Sequence, residues 1–185
     1  LEVLSPPENC ISPGAAELNF EGGGNAVYID ENPTLQLGSE QDFTIEVRIR
    51  TGITSDVAII GNKDWDSGLN PGFVFSFEYP NGPSWKVNIG DGNERADANG
   101  SGVDNNQWHT LSCSFDRDGM MRLYTNGVFV AEEDISNIGN IDVGSGWAIG
   151  SDILGDYSYT GAISEVRFWH NLLSDETINA WHCSP

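Results

Sequence analysis

Hydrophobic and polar residues alternate along this chain with the period of two that is typical of β-strands. The clearest example is the segment 43–50, in which every second residue is a large apolar one. These apolar side chains are expected to face a core. Their neighbours are expected to face water: Thr44, Glu46, Arg48 and Arg50.

A second stretch, 108–130, predicts a meander of three antiparallel strands. Leu111, Cys113 and Phe115 share one face, and polar residues occupy the other. Asp118-Gly119 and Asn126-Gly127 supply the two turns, because glycine and asparagine tolerate the backbone dihedrals of tight hairpins. Three consecutive antiparallel strands favour an all-β protein.

Turn signals recur about every ten residues elsewhere, which favours a sandwich over alternating strands and helices. A bulge is expected in the last long strand, since Ile163 and Val166 break the strict alternation. Ser174 predicts the start of a single short helix that ends near Trp181. The remaining predicted strands are 16–20, 26–29, 57–61, 73–77, 85–89, 147–149 and 159–169. The fold class is therefore an all-β, two-sheet antiparallel sandwich with one short C-terminal helix.

The length of 185 residues predicts one domain, 16–185, after a proline-rich lead segment, 1–15. The lead does not have the pattern of a signal peptide, and the chain has no apolar run long enough to span a membrane. Asp and Glu number 28 against 8 Lys and Arg, for a formal charge of -20. Such a charge repels phosphate backbones and anionic lipid, so nucleic acid is not an expected partner.

Three cysteines leave one without a partner. Cys113 falls on the apolar face of a strand and is expected to be a buried free thiol. Cys10 and Cys183 lie near opposite chain ends, which often meet at a domain surface, so we predict a disulfide between them. That bond implies an oxidising compartment. The alternative is that all three thiols are free.

Four segments, in order along the chain, carry a family resemblance: 18–22, 43–47, the Trp108-His109 meander and 161–169. In this order they resemble the laminin-G-like, concanavalin A-like jelly rolls, in particular the pentraxin-like group. The resemblance covers 16–181 and implies a two-sheet jelly roll. It also implies frequent calcium binding and a secreted or cell-surface location, often beside enzymes that act on polysaccharides.

Two polar segments are candidate calcium sites, since calcium prefers carboxylate, amide and carbonyl oxygens. They are 62–71 and 90–99, and their acidic residues are Asp64, Asp66, Asp91 and Asp97. A second candidate pair on predicted strands is Glu21 and Glu165. The alternative is that these carboxylates form side-chain turns or face water.

Aromatic residues in or beside loops are candidates for sugar recognition, because the apolar faces of sugar rings stack on exposed aromatic rings. They are Trp65, Trp85, Tyr157 and Tyr159. Arg95 would add a donor suited to an acidic sugar. The alternative is that these aromatic rings cap the ends of the core.

The sequence thus predicts a noncatalytic, extracellular, calcium-stabilised accessory module that binds carbohydrate. A protein-adhesion or structural module is the main alternative. An enzyme acting on polysaccharides comes third, because neither the Glu-x-Asp-x-x-Glu strand of the glucanases nor Gly-x-Ser-x-Gly occurs.

Overall fold

The computed structural model describes residues 16–53, 55–78 and 84–182. Cys10 and Cys183, the predicted disulfide, lie outside these residues. The first half of the described chain contains β1 Leu18–Glu21, β2 Val27–Ile29, a 3-10 turn Pro33–Leu35, β3 Phe43–Arg50, β4 Val57–Gly61, β5 Gly72–Phe77 and β6 Ser84–Gly90. The second half contains β7 Arg95–Gly102, β8 Trp108–Phe115, β9 Met120–Thr125, β10 Val128–Asp134, β11 Trp147–Ile149, β12 Thr160–Trp169 and the helix α1 Asp175–Trp181.

The strands form two six-stranded sheets with antiparallel pairing throughout. The first sheet has the order β1-β12-β3-β8-β9-β10, and the second has the order β2-β11-β4-β5-β6-β7. The predicted jelly-roll sandwich with one short helix is confirmed. Ser174 caps α1 by accepting the Thr177 N–H at 3.2 Å, and the ladder between β12 and β3 shifts register after Ile163, where a bulge was expected.

Alternating side chains of both sheets meet in one aromatic-rich core. Phe43 of β3 stacks on Phe115 of β8 with ring centroids 4.2 Å apart, and both rings contact Phe73 of β5 in the opposite sheet. Cys113 is a fully buried free thiol on the same face, as expected. The core therefore joins the two sheets and leaves their outer faces for other contacts.

The prediction that β3 turns its polar residues to water is wrong for Thr44, Glu46 and Arg48, which are all buried. The segment after β12 crosses this outer face, and Thr44 Oγ1 donates to the Asn171 carbonyl oxygen at 2.9 Å. Glu46 accepts hydrogen bonds from Ser112 at 2.9 Å and Arg167 at 3.1 Å. Periodicity identifies a strand, but it cannot show that a distant segment covers the polar face.

The polar segment 90–99, named above as a candidate calcium site, runs into a strand that was not predicted from the sequence, Arg95–Gly102. This strand is β7, which pairs with β6 and closes one edge of the second sheet. Its asparagine, aspartate and glycine residues are poor strand formers, so pairing with β6 decides its conformation. Among the described residues, α1 is too short to cross a membrane and no other helix qualifies.

Candidate functional site

A hollow of about 200 Å³ lies on the outer face of the second sheet, over β4 to β7. Trp85, Val87 and Ile89 of β6 point into the core, so the alternate residues Lys86 and Asn88 point outward into this hollow. Two loops, 62–71 and 150–159, lie beside these two residues. The second sheet therefore supplies a polar floor, and the loops supply a wall.

Lys86 and Asp97 form the centre of the floor, with Lys86 Nζ 2.8 Å from Asp97 Oδ1. Glu78 also accepts a hydrogen bond from Lys86, and Arg95 Nε lies 3.3 Å from Asp97 Oδ2. Burial alone would raise the pKa of Asp97, but Lys86, Asn88 and Arg95 together hold it below its usual value. Asp97 is thus a fixed anion whose oxygens are already engaged by the protein.

Asn88 is fully buried, yet only one of the two polar atoms of its side-chain amide makes a hydrogen bond. Its Nδ2 donates to Asp97 Oδ1 at 3.0 Å, while its Oδ1 has no hydrogen-bond partner. A buried acceptor without a donor is costly, and buried polar groups nearly always have partners. Asn88 lines the hollow, so this unpaired acceptor lies directly at its floor.

The wall of the hollow is aromatic. Trp65 and Tyr157 pack edge to face with ring centroids 4.9 Å apart, over a small apolar base of Ala58 and Val74. Tyr157 OH donates to Asp66 Oδ1 at 3.1 Å. Tyr157 has the positive φ of 51°, which few non-glycine residues adopt, so the surrounding contacts hold it in a special conformation.

Two buried charges fasten the loops that carry these rings. Asp152 is 1% exposed and accepts backbone N–H groups of Trp65 at 3.1 Å, Leu154 at 3.0 Å and Asp156 at 2.8 Å. Lys63 Nζ donates to the Gly68 carbonyl oxygen at 2.8 Å. Burial is the main cause that lowers the pKa of Lys63 to about 8. The wall is therefore a fixed feature of the fold.

The structure brings five of the predicted site residues together in this hollow: Trp65, Asp66, Arg95, Asp97 and Tyr157. They come from three separate segments of the chain, and they meet because β4 lies between β11 and β5 while β7 closes the sheet edge beyond β6. Trp65 is mostly buried, Tyr157 is half-buried and Arg95 is exposed.

Trp85 and Tyr159 do not face the solvent, which corrects their placement as loop aromatics. Trp85 is fully buried, and its Nε1 donates to Thr125 Oγ1 at 2.9 Å. Tyr159 is also fully buried, packs edge to face on Phe20, and donates its hydroxyl to the Arg50 carbonyl oxygen at 3.3 Å. For these two rings, the alternative interpretation, that they pack in the core and do not contact a ligand, is correct.

The candidate calcium ligands are not gathered around one point. Asp91 accepts N–H groups of Asn93 at 2.7 Å, Glu94 at 2.8 Å and Gly139 at 2.7 Å, which lower its pKa although burial opposes them. Asp64 accepts the Asp66 N–H at 3.1 Å in a side-chain turn. These carboxylates, with Asp97 held by its cations, do not fit a calcium ion as a set.

The second calcium pair is also separated. Glu21 of β1 lies opposite Thr160, at the start of β12, whereas Glu165 lies farther along β12 and pairs with Arg167 at 2.7 Å. Within the described ranges, no group of three or more His, Cys, Asp or Glu residues is arranged to hold a metal. Calcium binding stays a prediction from the sequence.

Sequence reasoning missed Lys86 and Asn88, which contribute most of the floor, as well as Lys63 and Asp152, which fasten the wall. A signal for the first pair was available: two polar residues alternate with apolar ones in the segment 85–89. Nothing in the local pattern shows that Lys63 and Asp152 are buried, because their burial depends on contacts between the two loops, such as the Trp65 N–H with Asp152 and the Ile153 N–H with the Lys63 carbonyl oxygen.

The fold and sequence have known relatives. Residues 21–179 match the family described as the concanavalin A-like lectin/glucanases superfamily. A search of the curated proteins finds no match. The heptameric SAP-like pentraxin from Limulus polyphemus has a similar structure, with a TM-score of 0.63 and 17% identity over 88% of this chain and 79% of the pentraxin.

Bacterial toxin domains are similar as well. The binding domain of Paraclostridial Mosquitocidal Protein 1 has a TM-score of 0.70 and 15% identity over 90% of this chain and 42% of its own length. The ligand-binding domain of botulinum neurotoxin serotype D, solved in complex with N-acetylneuraminic acid, has a TM-score of 0.71 and 15% identity over 90% of this chain and 41% of its own length. The chain thus spans less than half of each toxin domain, and identities this low establish the fold alone.

Proposed function

The chain belongs to the concanavalin A-like lectin/glucanases superfamily, and from that premise we propose that it is a noncatalytic module that binds carbohydrate in the hollow over β4 to β7. The proposed ligand is part of a glycan, since the hollow is smaller than the 300–1,000 Å³ or so of typical small-molecule pockets. One ring of a longer chain would enter, and the neighbouring rings would lie on the surface.

The unused acceptor of Asn88 is the observation that carries this proposal. A sugar hydroxyl is a compact donor, and it can reach Asn88 Oδ1 while its own oxygen accepts from Lys86 or Arg95. The apolar face of the same ring can pack on Tyr157, which stands beside the polar floor. An aromatic wall next to convergent donors and acceptors is the combination that sugar recognition requires.

The state of the carboxylates supports a noncatalytic role. Glycoside hydrolysis needs a carboxylic acid that is protonated at working pH beside a second carboxylate. Asp97 has a lowered pKa and accepts from Lys86 and Asn88, and Glu78 pairs with Lys86. The lowered pKa keeps Asp97 ionised, so this carboxylate is suited to binding and not to proton donation.

We further propose an extracellular setting, as a part of a larger protein that contacts polysaccharide. The support is family membership, together with the acidic composition of the chain, which disfavours nucleic acid as a partner. The preformed wall fits an accessory module, because fixed loops lose little entropy when a ligand binds.

A glycan array probed with the purified chain tests the proposal. Binding to at least one glycan is expected, and Tyr157→Ala and Arg95→Ala should each weaken it about tenfold or more. Phe129→Ala and Arg122→Ala change an exposed aromatic and an exposed arginine in the first sheet, so they should bind like the unchanged protein. Circular dichroism checks that all four variants fold.

Two results would contradict the proposal. If the chain bound no glycan on a broad array, the protein-adhesion alternative would be favoured. Release of reducing sugar or unsaturated product by the isolated chain would favour the enzyme alternative.

A further inference from the structure

We propose that the glycan taken by the hollow carries primary ammonium groups, as polymers of 2-amino sugars do. This inference rests on the proposed function and names the class of sugar for the same site. It differs from the expectation that Arg95 would recognise an acidic sugar.

The charges around the hollow disfavour an anionic ligand. Among the described residues, its lining has four carboxylates, from Asp56, Asp66, Glu78 and Asp97, against the cations Lys86 and Arg95. Counting Lys63 beneath the loop as charged still leaves an acidic excess. Both lining cations already face carboxylates, which offset their charge, although each keeps N–H donors for a neutral ligand oxygen. A carboxylate-bearing sugar would meet net repulsion here.

The hydrogen-bonding groups that face the ligand need donors. Asn88 Oδ1 is a fully buried acceptor without a partner, and the exposed carboxylate of Asp66 accepts from Tyr157 with one of its oxygens. An ionised carboxylate can only accept. An ammonium group offers three donors and a positive charge, whereas a hydroxyl offers one donor. The ammonium therefore satisfies more of this site than a neutral sugar can.

The aromatic wall adds a third contribution. Tyr157 is half-buried and packed against Trp65, so its ring is held beside the acidic groups. A cation near the face of a tyrosine ring is attracted to it, and the attraction grows when water is partly excluded. Carboxylates, an unused amide oxygen and a fixed ring thus converge on a ligand that is both positively charged and rich in donors.

Titration calorimetry with three oligosaccharides of equal length tests this inference: glucosamine oligomers, their N-acetylated forms, and galacturonic acid oligomers. At a pH where the amine is protonated, the glucosamine oligomers should bind about tenfold more tightly than the N-acetylated ones. Asp66→Asn should remove most of that preference. Asp118→Asn removes the same charge from an exposed turn between β8 and β9, and it should leave the preference intact.

The outcomes separate the two proposals. Binding of N-acetylated or acidic oligomers as tightly as glucosamine oligomers, with loss in Tyr157→Ala, overturns the ammonium inference and supports the sugar site. An equal loss of preference in Asp66→Asn and Asp118→Asn means attraction to the acidic chain in general, and this too overturns the inference. If none of the three oligosaccharides binds and the glycan array shows no binding, both the carbohydrate-binding proposal and the ammonium inference are overturned.

Discussion

Trp85 of β6 reaches through the core and donates its indole N–H to Thr125 Oγ1 of β9, so a buried hydrogen bond of 2.9 Å links the two sheets. Ser101 of β7 donates to the same hydroxyl oxygen at 2.8 Å. Gly100 lies directly against the indole, where a Cβ would come within 2.1 Å of Trp85 Nε1. Trp85 is therefore a core residue, since Gly100 leaves space for its ring and Thr125 accepts its N–H.

Trp85→Phe should lower the free energy of unfolding by about 2–4 kcal/mol, because it removes the hydrogen bond and leaves unfilled volume. Urea denaturation measures the change. Trp181→Phe is the matched control, since Trp181 is exposed and its replacement should change stability by about 0.5 kcal/mol or less. Glycan binding per folded molecule should not change in Trp85→Phe. Weaker binding at unchanged stability would instead support the role in ligand contact that the sequence predicted.

Trp85 also shows what the sequence could and could not predict. Its alternation with polar neighbours gave the strand 85–89 correctly, as it did for most strands of both sheets. The position of Trp85 one residue from a loop suggested exposure, but β7 and the opposite sheet enclose it. Periodicity shows which residues share a face, whereas the choice of buried face depends on what packs against it.

For the hollow, too, the sequence could predict the individual residues but not how they come together. Trp65, Arg95 and Tyr157 could be selected individually by residue type, and all three line it. Their convergence depends on strand order, which places β11 beside β4 and so brings the loop 150–159 next to the loop 62–71. Strand order is set by packing over the whole chain. Local patterns do not encode it.

Asp152 is predicted to couple stability to binding. Asp152→Ala would leave three backbone N–H groups of the wall without their acceptor, at a cost of about 2–4 kcal/mol in the free energy of unfolding. Since Trp65 and Tyr157 would lose their fixed positions, glycan affinity should fall in parallel. Calorimetric melting and titration calorimetry measure the two effects.

Asp142→Ala provides the control for this coupling. Asp142 accepts the N–H groups of Leu37 at 2.7 Å and Gly38 at 3.0 Å, outside the lining of the hollow. It should lower stability and leave glycan affinity unchanged. If Asp152→Ala bound glycan normally while being equally destabilised, the wall would not need Asp152 for its shape.

The calcium prediction can be tested without knowing the ligands. An ion that binds only the folded state raises the melting temperature, so a chelator should lower it and added calcium should restore it. Because Asp91 accepts hydrogen bonds from backbone N–H groups, the Asp91→Asn variant should show the same change in melting temperature with chelator as the unchanged protein. Identical melting curves with and without chelator would contradict the calcium prediction.

Lys63 is predicted to make stability rise with pH. Its buried ammonium has a pKa lowered from 10.5 to about 8, chiefly by burial, so the folded chain releases this proton near pH 8 while the unfolded chain keeps it to about 10.5. Between these values the unfolded state binds more protons, and the free energy of unfolding therefore increases with pH. Lys63→Met keeps a long side chain and removes the titration, so its urea stability should rise less between pH 8 and pH 10 than that of the unchanged protein.

Lys86→Met is the control: burial lowers the pKa of Lys86, but Asp97 and Glu78 raise it above 10.5, so this lysine is protonated in both states over that range. Parallel pH profiles for the Lys63 variant and the unchanged protein would mean that Lys63 titrates as an ordinary lysine.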